Sequence, residues 1–286
     1  MYKSLLTGQA TTVKNSLLRK KYWPGVFLLA FLFVTNLKAE QIRIGIIDTG
    51  FCPTKLNYDK GKINIHPLFD ATYSVSMNCD KLDKKQRRFH GHWVLETFLE
   101  KAPKDMIIEI WPVIIFDFQA VQKKPYWINA LKFLESKRID VVLSAAGLPL
   151  TKEVPVDLKL IYSKFFVSSG RAGGPIKMDT KLFPHELAPQ DSLYLIGSFY
   201  PPLNKDDYIY DDKLLYQDKI DYYFTQGPIG EDFVGTSRSV AIGLARAIEL
   251  CPKEFHSQKN SELRSCLSKQ KLILKMAYSG KLVPSL

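Results

Sequence analysis

Apolar and polar positions along this chain follow two rhythms. From residue 40 onward, short continuous apolar runs are followed by stretches with helical spacing. The first run, Ile42-Arg43-Ile44-Gly45-Ile46-Ile47, predicts a strand. Further strands are predicted over 107–116, 140–144, 164–168, 192–198 and 222–225, and helices over 90–100, 125–137, 237–250 and 261–278. Strand-then-helix alternation predicts an α/β fold: a mostly parallel twisted sheet with helices on both faces, in three layers. The glycine-rich cluster 170–175 reads as a turn at a strand exit, and the tyrosine-rich polar stretch 201–221 as a surface excursion. There is no internal repeat, so one domain over 40–286 is the simplest division.

Composition keeps the chain in the globular class: 286 residues, 46% hydrophobic and 24% charged. The formal charge is +11, but residues 1–39 hold six lysines and arginines and no acid, so the remainder carries +5. That excess reads as lysines spread over a solvated surface. No compact basic stripe with interleaved aromatics stands out, so nucleic acid is not an expected partner. At the N-terminus, Arg19-Lys20-Lys21 precedes the apolar run 26–34. The run falls short of the roughly 20 residues a bilayer span needs. With Ala39 as the last residue before cleavage, it predicts a signal peptide over 1–39 and export to the periplasm or extracellular space. Membrane association is expected only if this segment stays uncleaved. The first strand follows at once, leaving no room for a folded pro-region.

The four cysteines, Cys52, Cys79, Cys251 and Cys266, lie beyond that segment. Export makes pairing plausible, and proximity favours Cys52 with Cys79 and Cys251 with Cys266; four free thiols are the alternative. No C-x-x-C string is present, and His90 and His92 are not spaced i, i+4, so no metal site is expected.

Three short strings carry the chemistry: Ile46-Ile47-Asp48-Thr49-Gly50, His90-Gly91-His92-Trp93-Val94 and Gly235-Thr236-Ser237-Arg238-Ser239-Val240-Ala241. Asp48 falls just after a strand, His90 at a helix start, and Ser237 in the first turn of a helix. A serine hydroxyl becomes a useful nucleophile when an imidazole takes its proton and a carboxylate steadies that imidazole. Taken singly, each residue is also an ordinary turn aspartate, helix-start histidine or serine N-cap. Taken together, in the order Asp, His, Ser, the strings resemble the subtilisin-like serine proteases (subtilases).

The resemblance implies an exported serine endopeptidase with Asp48, His90 and Ser237 as its triad. It implies that the run Val142-Leu143-Ser144-Ala145-Ala146-Gly147 binds an extended polypeptide substrate, with Ser144, Ala145, Ala146 and Gly147 at the cleft. Ala146 stands where the family usually has glycine, which narrows that cleft. Phe166-Val167-Ser168-Ser169-Gly170-Arg171-Ala172-Gly173 resembles the family's oxyanion strand and loop. There Arg171 replaces the usual asparagine, and Thr236 could assist. Loss of such a donor costs about 3–4 kcal/mol of transition-state stabilisation. The alternative is therefore a weakened or inactive protease-fold protein that binds peptides or a partner; a third possibility is an esterase with the same triad. No cofactor is required. Calcium is possible, but the acidic pairs Asp206-Asp207 and Asp211-Asp212 read as solvated loop residues.

Overall fold

The structure, a computed structural model, describes residues 41–74, 77–151, 164–173, 176–188, 190–200, 209–210, 212–227, 231–270, 274–276 and 282–284. All fall in the unit Ala39–Leu286. The expected signal segment lies outside the described residues. Among those described, no helix is long and apolar enough to cross a membrane.

In chain order the strands are β1 (Gln41–Asp48), β2 (Ile63–Ile65), β3 (Phe69–Asp70), β4 (Ile107–Ile114), β5 (Val141–Ser144), β6 (Leu148–Pro149), β7 (Lys164–Ser168), β8 (Leu182–Phe183), β9 (Leu193–Tyr200), β10 (Ile209–Tyr210), β11 (Tyr222–Thr225), β12 (Leu274–Met276) and β13 (Leu282–Pro284). The α-helices are α1 (His90–Lys101), α2 (Lys124–Ser136), α3 (Thr236–Leu250) and α4 (Asn260–Lys269). The main sheet runs β10-β9-β7-β5-β1-β4-β2, with β3 also on β4 and β11 also on β9. Every pair in it is parallel except β10 with β9. β6 pairs with β8, and β12 with β13, as two small antiparallel ribbons.

Each central strand sends alternate side chains to opposite layers. Ile42, Ile44, Ile46, Ile108, Ile110 and Phe166 face a core shared with α1, α3 and α4. Ile47, Trp111, Val113, Val142, Phe165 and Val167 face a second core containing Trp127, Ala130 and Leu134 of α2. Burial on both faces explains why these strands read as continuous apolar runs rather than as alternation. A Cβ on Gly45 would lie 2.7 Å from a Leu134 methyl, so glycine lets α2 press directly on β1.

Two expectations need correction. The helix expected over 261–278 ends at Lys269, and Leu274–Met276 instead forms a strand paired with Leu282–Pro284. The polar Ser268-Lys269-Gln270 stretch breaks the apolar stripe there. The stretch 201–221 is also not purely superficial: Leu214 and Leu215 are buried. They are the apolar anchors within an otherwise polar segment.

Strand order reverses at β1. The chain first builds β4 on one side of it, then crosses to β5 on the other. Connections leaving the carboxyl ends therefore diverge at this point, where open α/β sheets form their ligand crevices. Asp48 ends β1 there.

At the opposite end of the sheet, Lys164 opens β7 with its side chain buried. Its ammonium donates to the carbonyls of Phe255 at 2.9 Å and Ser257 at 2.8 Å, which ties the turn after α3 to the sheet. Burial lowers its pKa, while Asp140 and Glu262 oppose that shift. Lys164→Met should leave both carbonyls without their donor. We expect a loss of about 2–4 kcal/mol in urea unfolding.

Candidate active site

The turn after β1 is tied to the first turn of α1 by side-chain and backbone bonds. Asp48, almost fully buried, accepts at Oδ1 from the Thr49 amide at 2.6 Å and pairs through the same oxygen with His90 Nδ1 at 2.8 Å. The Thr49 hydroxyl oxygen accepts from the Gly91 amide at 3.0 Å. The Gly50 carbonyl accepts from the His92 amide at 3.0 Å, and the Gly50 amide donates to the Arg88 carbonyl at 2.8 Å. Amides at a helix start have no partner within the helix; here the strand-exit turn supplies two of them.

This contact leaves no room for side chains. A Cβ on Gly91 would lie 2.8 Å from both Asp48 Cβ and the Phe51 ring, and one on Gly50 would lie 2.5 Å from the Arg88 carbonyl oxygen. The glycines of both strings are therefore demanded by close approach. The disulfide Cys52–Cys79 clamps the segment leading into α1 beside the same turn, and Cys251–Cys266 joins the end of α3 to α4. Cys251, Glu254 and Cys266 group their donor atoms together, but both sulfurs are consumed in the disulfide, so this is not a thiolate metal site.

His90 is half-buried. Burial would lower its pKa, but the Asp48 charge and hydrogen bond outweigh it, and the pKa stands above 6.5. The Asp48–His90 pair thus contributes stability that is present below about 6.5 and lost as pH rises through the raised value. With Nδ1 on Asp48, the ring's other nitrogen, Nε2, is the one available to a third group.

Ser237 is the second residue of α3 and is half-buried. Gly235, with φ of 101°, turns the chain into the helix, and its carbonyl accepts from the amides of Arg238 and Ser239. The two nearby serines divide their work. Ser239 is buried, its hydroxyl 3.1 Å from the carbonyls of Phe224 and Thr225, so it docks α3 on β11. The Ser237 hydroxyl has no hydrogen-bond partner among the described residues. Thr236, also named for the oxyanion position, is buried at the helix start. Arg238 holds the preceding loop through Glu231 and the Phe233 carbonyl. Phe233 in turn presents its ring edge-to-face to His90, with centroids 5.5 Å apart. The structure thus brings Asp48 and His90 into contact and sets Ser237 on the helix packed against α1. No direct hydrogen bond joins His90 to Ser237.

Arg171 lies three residues past β7 and is exposed. Its backbone bridges to Leu214, and its guanidinium donates to the Tyr200 hydroxyl at 3.4 Å. At the exit of β5, the Ser144 hydroxyl donates to the Ala146 carbonyl at 3.1 Å. Ser144 and Ala146 are buried, whereas Ala145 and Gly147 are half-buried. The Ala145 amide and carbonyl take no partner among the described residues.

Several residues of this region carry no sequence signal of their own. Gln122, in the loop after β4, donates to the Gly147 carbonyl and accepts from the Trp127 indole at 2.9 Å. His185 is buried against Gly147, its Nε2 2.8 Å from the Ser168 carbonyl oxygen and its Nδ1 unpartnered among the described residues. Burial pushes its pKa down to about 4, and that of His92 likewise. Both resist protonation in the fold, so stability declines as pH falls from about 6.5 toward about 4.

No family model and no curated protein matches the sequence. Among solved structures, one similar chain is described as a serine-to-alanine mutant of the protease domain of PatA. It aligns with a TM-score of 0.54 at 13% identity, covering 76% of this chain and 81% of that one. The chain has the subtilase fold that its three strings imply.

Two outcomes follow from the Asp48–His90 contact. In an NMR titration of the Ser237→Ala protein, the His90 ring should titrate above 6.5. Adding Asp48→Asn removes the carboxylate charge, the larger of the two raising causes, and leaves burial, so the inflection should fall below the parent value. Gly91→Ala should force α1 off the β1 turn, lowering stability by about 1–3 kcal/mol in thermal or urea unfolding.

Proposed function

We propose that this protein is an exported serine endopeptidase. The observation that carries the reading is the buried Asp48 carboxylate bonded to His90 Nδ1, beside a helix whose first turn offers the Ser237 hydroxyl, all on a subtilase fold.

In this reading Asp48 fixes the imidazole tautomer with Nε2 as the base and stabilises the imidazolium once formed. His90 Nε2 takes the Ser237 proton as the oxygen attacks the peptide carbonyl. The tetrahedral intermediate collapses, His90 protonates the leaving amine, and an ester remains on Ser237. Water, deprotonated by His90, then hydrolyses that ester. The Ser237 amide, at the positive end of α3, is one donor to the developing oxyanion. An extended polypeptide would lie along Ser144–Gly147, where the unpartnered Ala145 backbone groups can pair with it as an added strand. The two disulfides support an oxidising compartment and hence export.

A second reading has one observation in its favour. The Arg171 guanidinium is engaged with Tyr200, and an arginine held there leaves the oxyanion with fewer donors. The protein would then be a weak protease or a peptide-binding module on a protease fold.

A fluorophosphonate probe separates the two. The first reading expects covalent labelling at Ser237, abolished in Ser237→Ala and by prior unfolding. The labelling rate should rise with pH through an inflection above 6.5, because the base must be neutral. Folded protein that stays unlabelled across that range, yet still binds peptide, would establish the second reading.

A further inference from the structure

One short segment of the folded unit concentrates positive charge. Residues 40–286 carry a net +5, and residues 81–88 alone carry +4: Lys81, Lys84, Lys85, Arg87 and Arg88 against Asp83. The rest of the unit holds 29 lysines and arginines against 28 acids, so this segment is a local concentration on a chain otherwise close to charge balance.

All five cations are exposed. Their segment begins beside the Cys52–Cys79 disulfide and runs through Arg87–Phe89 directly into His90. The Lys84 ammonium lies 5.1 Å over the Trp93 ring and the Arg88 guanidinium 4.8 Å over the Phe89 ring. Two of the five charges, on Lys84 and Arg88, thus lie over rings at the start of α1, and the segment that carries all five leads straight into the helix that His90 begins. The acids in reach are few. Asp80 is paired with Lys55 at 3.6 Å, Asp83 accepts from the Lys85 amide, and Glu96 faces Lys84. Lys81, Lys85 and Arg87 form no ion pair among the described residues. Five cations within eight residues repel one another, and an anionic chain docking there relieves that repulsion.

We propose that residues 81–88 form a docking rim for acidic polypeptides, so that substrates carry aspartate or glutamate beside the bond to be cut. The inference rests on the proteolytic reading above and names its substrate class. A polypeptide fits better than a nucleic acid. Asp80, Asp83 and Glu96 interrupt the patch, and the rings near it, Phe89 and Trp93, are buried beneath cations rather than open to stacking bases.

The test gives the full chain two peptides of equal length, one neutral and one with acidic residues on both sides of the cleavage point. At low salt, kcat/KM should favour the acidic peptide by about tenfold. The advantage should shrink toward parity near 1 M salt, where the screening length is about 3 Å. Lys85→Glu with Arg87→Glu should abolish the preference, and Lys85→Gln with Arg87→Gln should reduce it. Equal kcat/KM for the two peptides at low salt, or a preference that survives the charge reversal, overturns the proposal. Fluorescence anisotropy with Ser237→Ala reads binding without turnover. Absence of cleavage with intact acidic-peptide binding therefore counts against the proteolytic reading alone, and loss of selective binding counts against the rim. An oligonucleotide of matched charge bound more tightly than the acidic peptide would also overturn it.

Discussion

The site depends on how closely two pieces of backbone approach: the turn that leaves β1 and the first turn of α1. Their separation is set by bonds that tolerate little stretch, the Thr49 hydroxyl to the Gly91 amide and the Gly50 carbonyl to the His92 amide. The Asp48–His90 contact is a by-product of that approach. Once the amides are satisfied, carboxylate and imidazole have almost no freedom to miss each other. The same bonds that end a strand and begin a helix therefore aim an acid at a base.

That economy explains what could be read from the sequence. Asp48-Thr49-Gly50 and His90-Gly91 were legible because close approach demands glycine and amide capping demands a hydroxyl or a bare carbonyl, and both demands leave letters behind. The strands were legible because β1, β4, β5, β7 and β9 are buried on two faces and must be apolar throughout. What stayed hidden depends on contacts between distant segments. Gln122 reaching Gly147, His185 wedged beside it and Arg171 meeting Tyr200 leave no local pattern. Leu214 and Leu215 were masked by polar neighbours, since a two-residue anchor has no period to detect. The end of α4 was misjudged for a related reason: apolar residues at 272–274 prolong a helical rhythm that the polar break before them has already stopped.

The serine side is built differently. α3 is drawn into the core by Val240, Ala241, Leu244 and Ala245, while Ser239 pins its start to the end of β11. One hydroxyl is used in holding the helix, and its neighbour two residues earlier is left over. That spare group lies at the N-terminus of a helix packed against α1, the helix that His90 begins, which is why the proposed function casts Ser237 as the nucleophile. Burial elsewhere separates the histidines: His92 and His185 stay neutral at ordinary pH, whereas Asp48 raises His90.

The disulfide Cys52–Cys79 has an effect that reaches past its neighbours. It fastens one end of the cationic stretch, and the Gly50–Arg88 backbone bond fastens the other. A loose tail of the same composition would have to surrender its conformational freedom whenever it captured something, at about 1–2 kcal/mol per backbone residue. Here that surrender happens once, during folding. In the docking proposed above, the charges meet an incoming chain already in formation, so more of their attraction would survive as residence time.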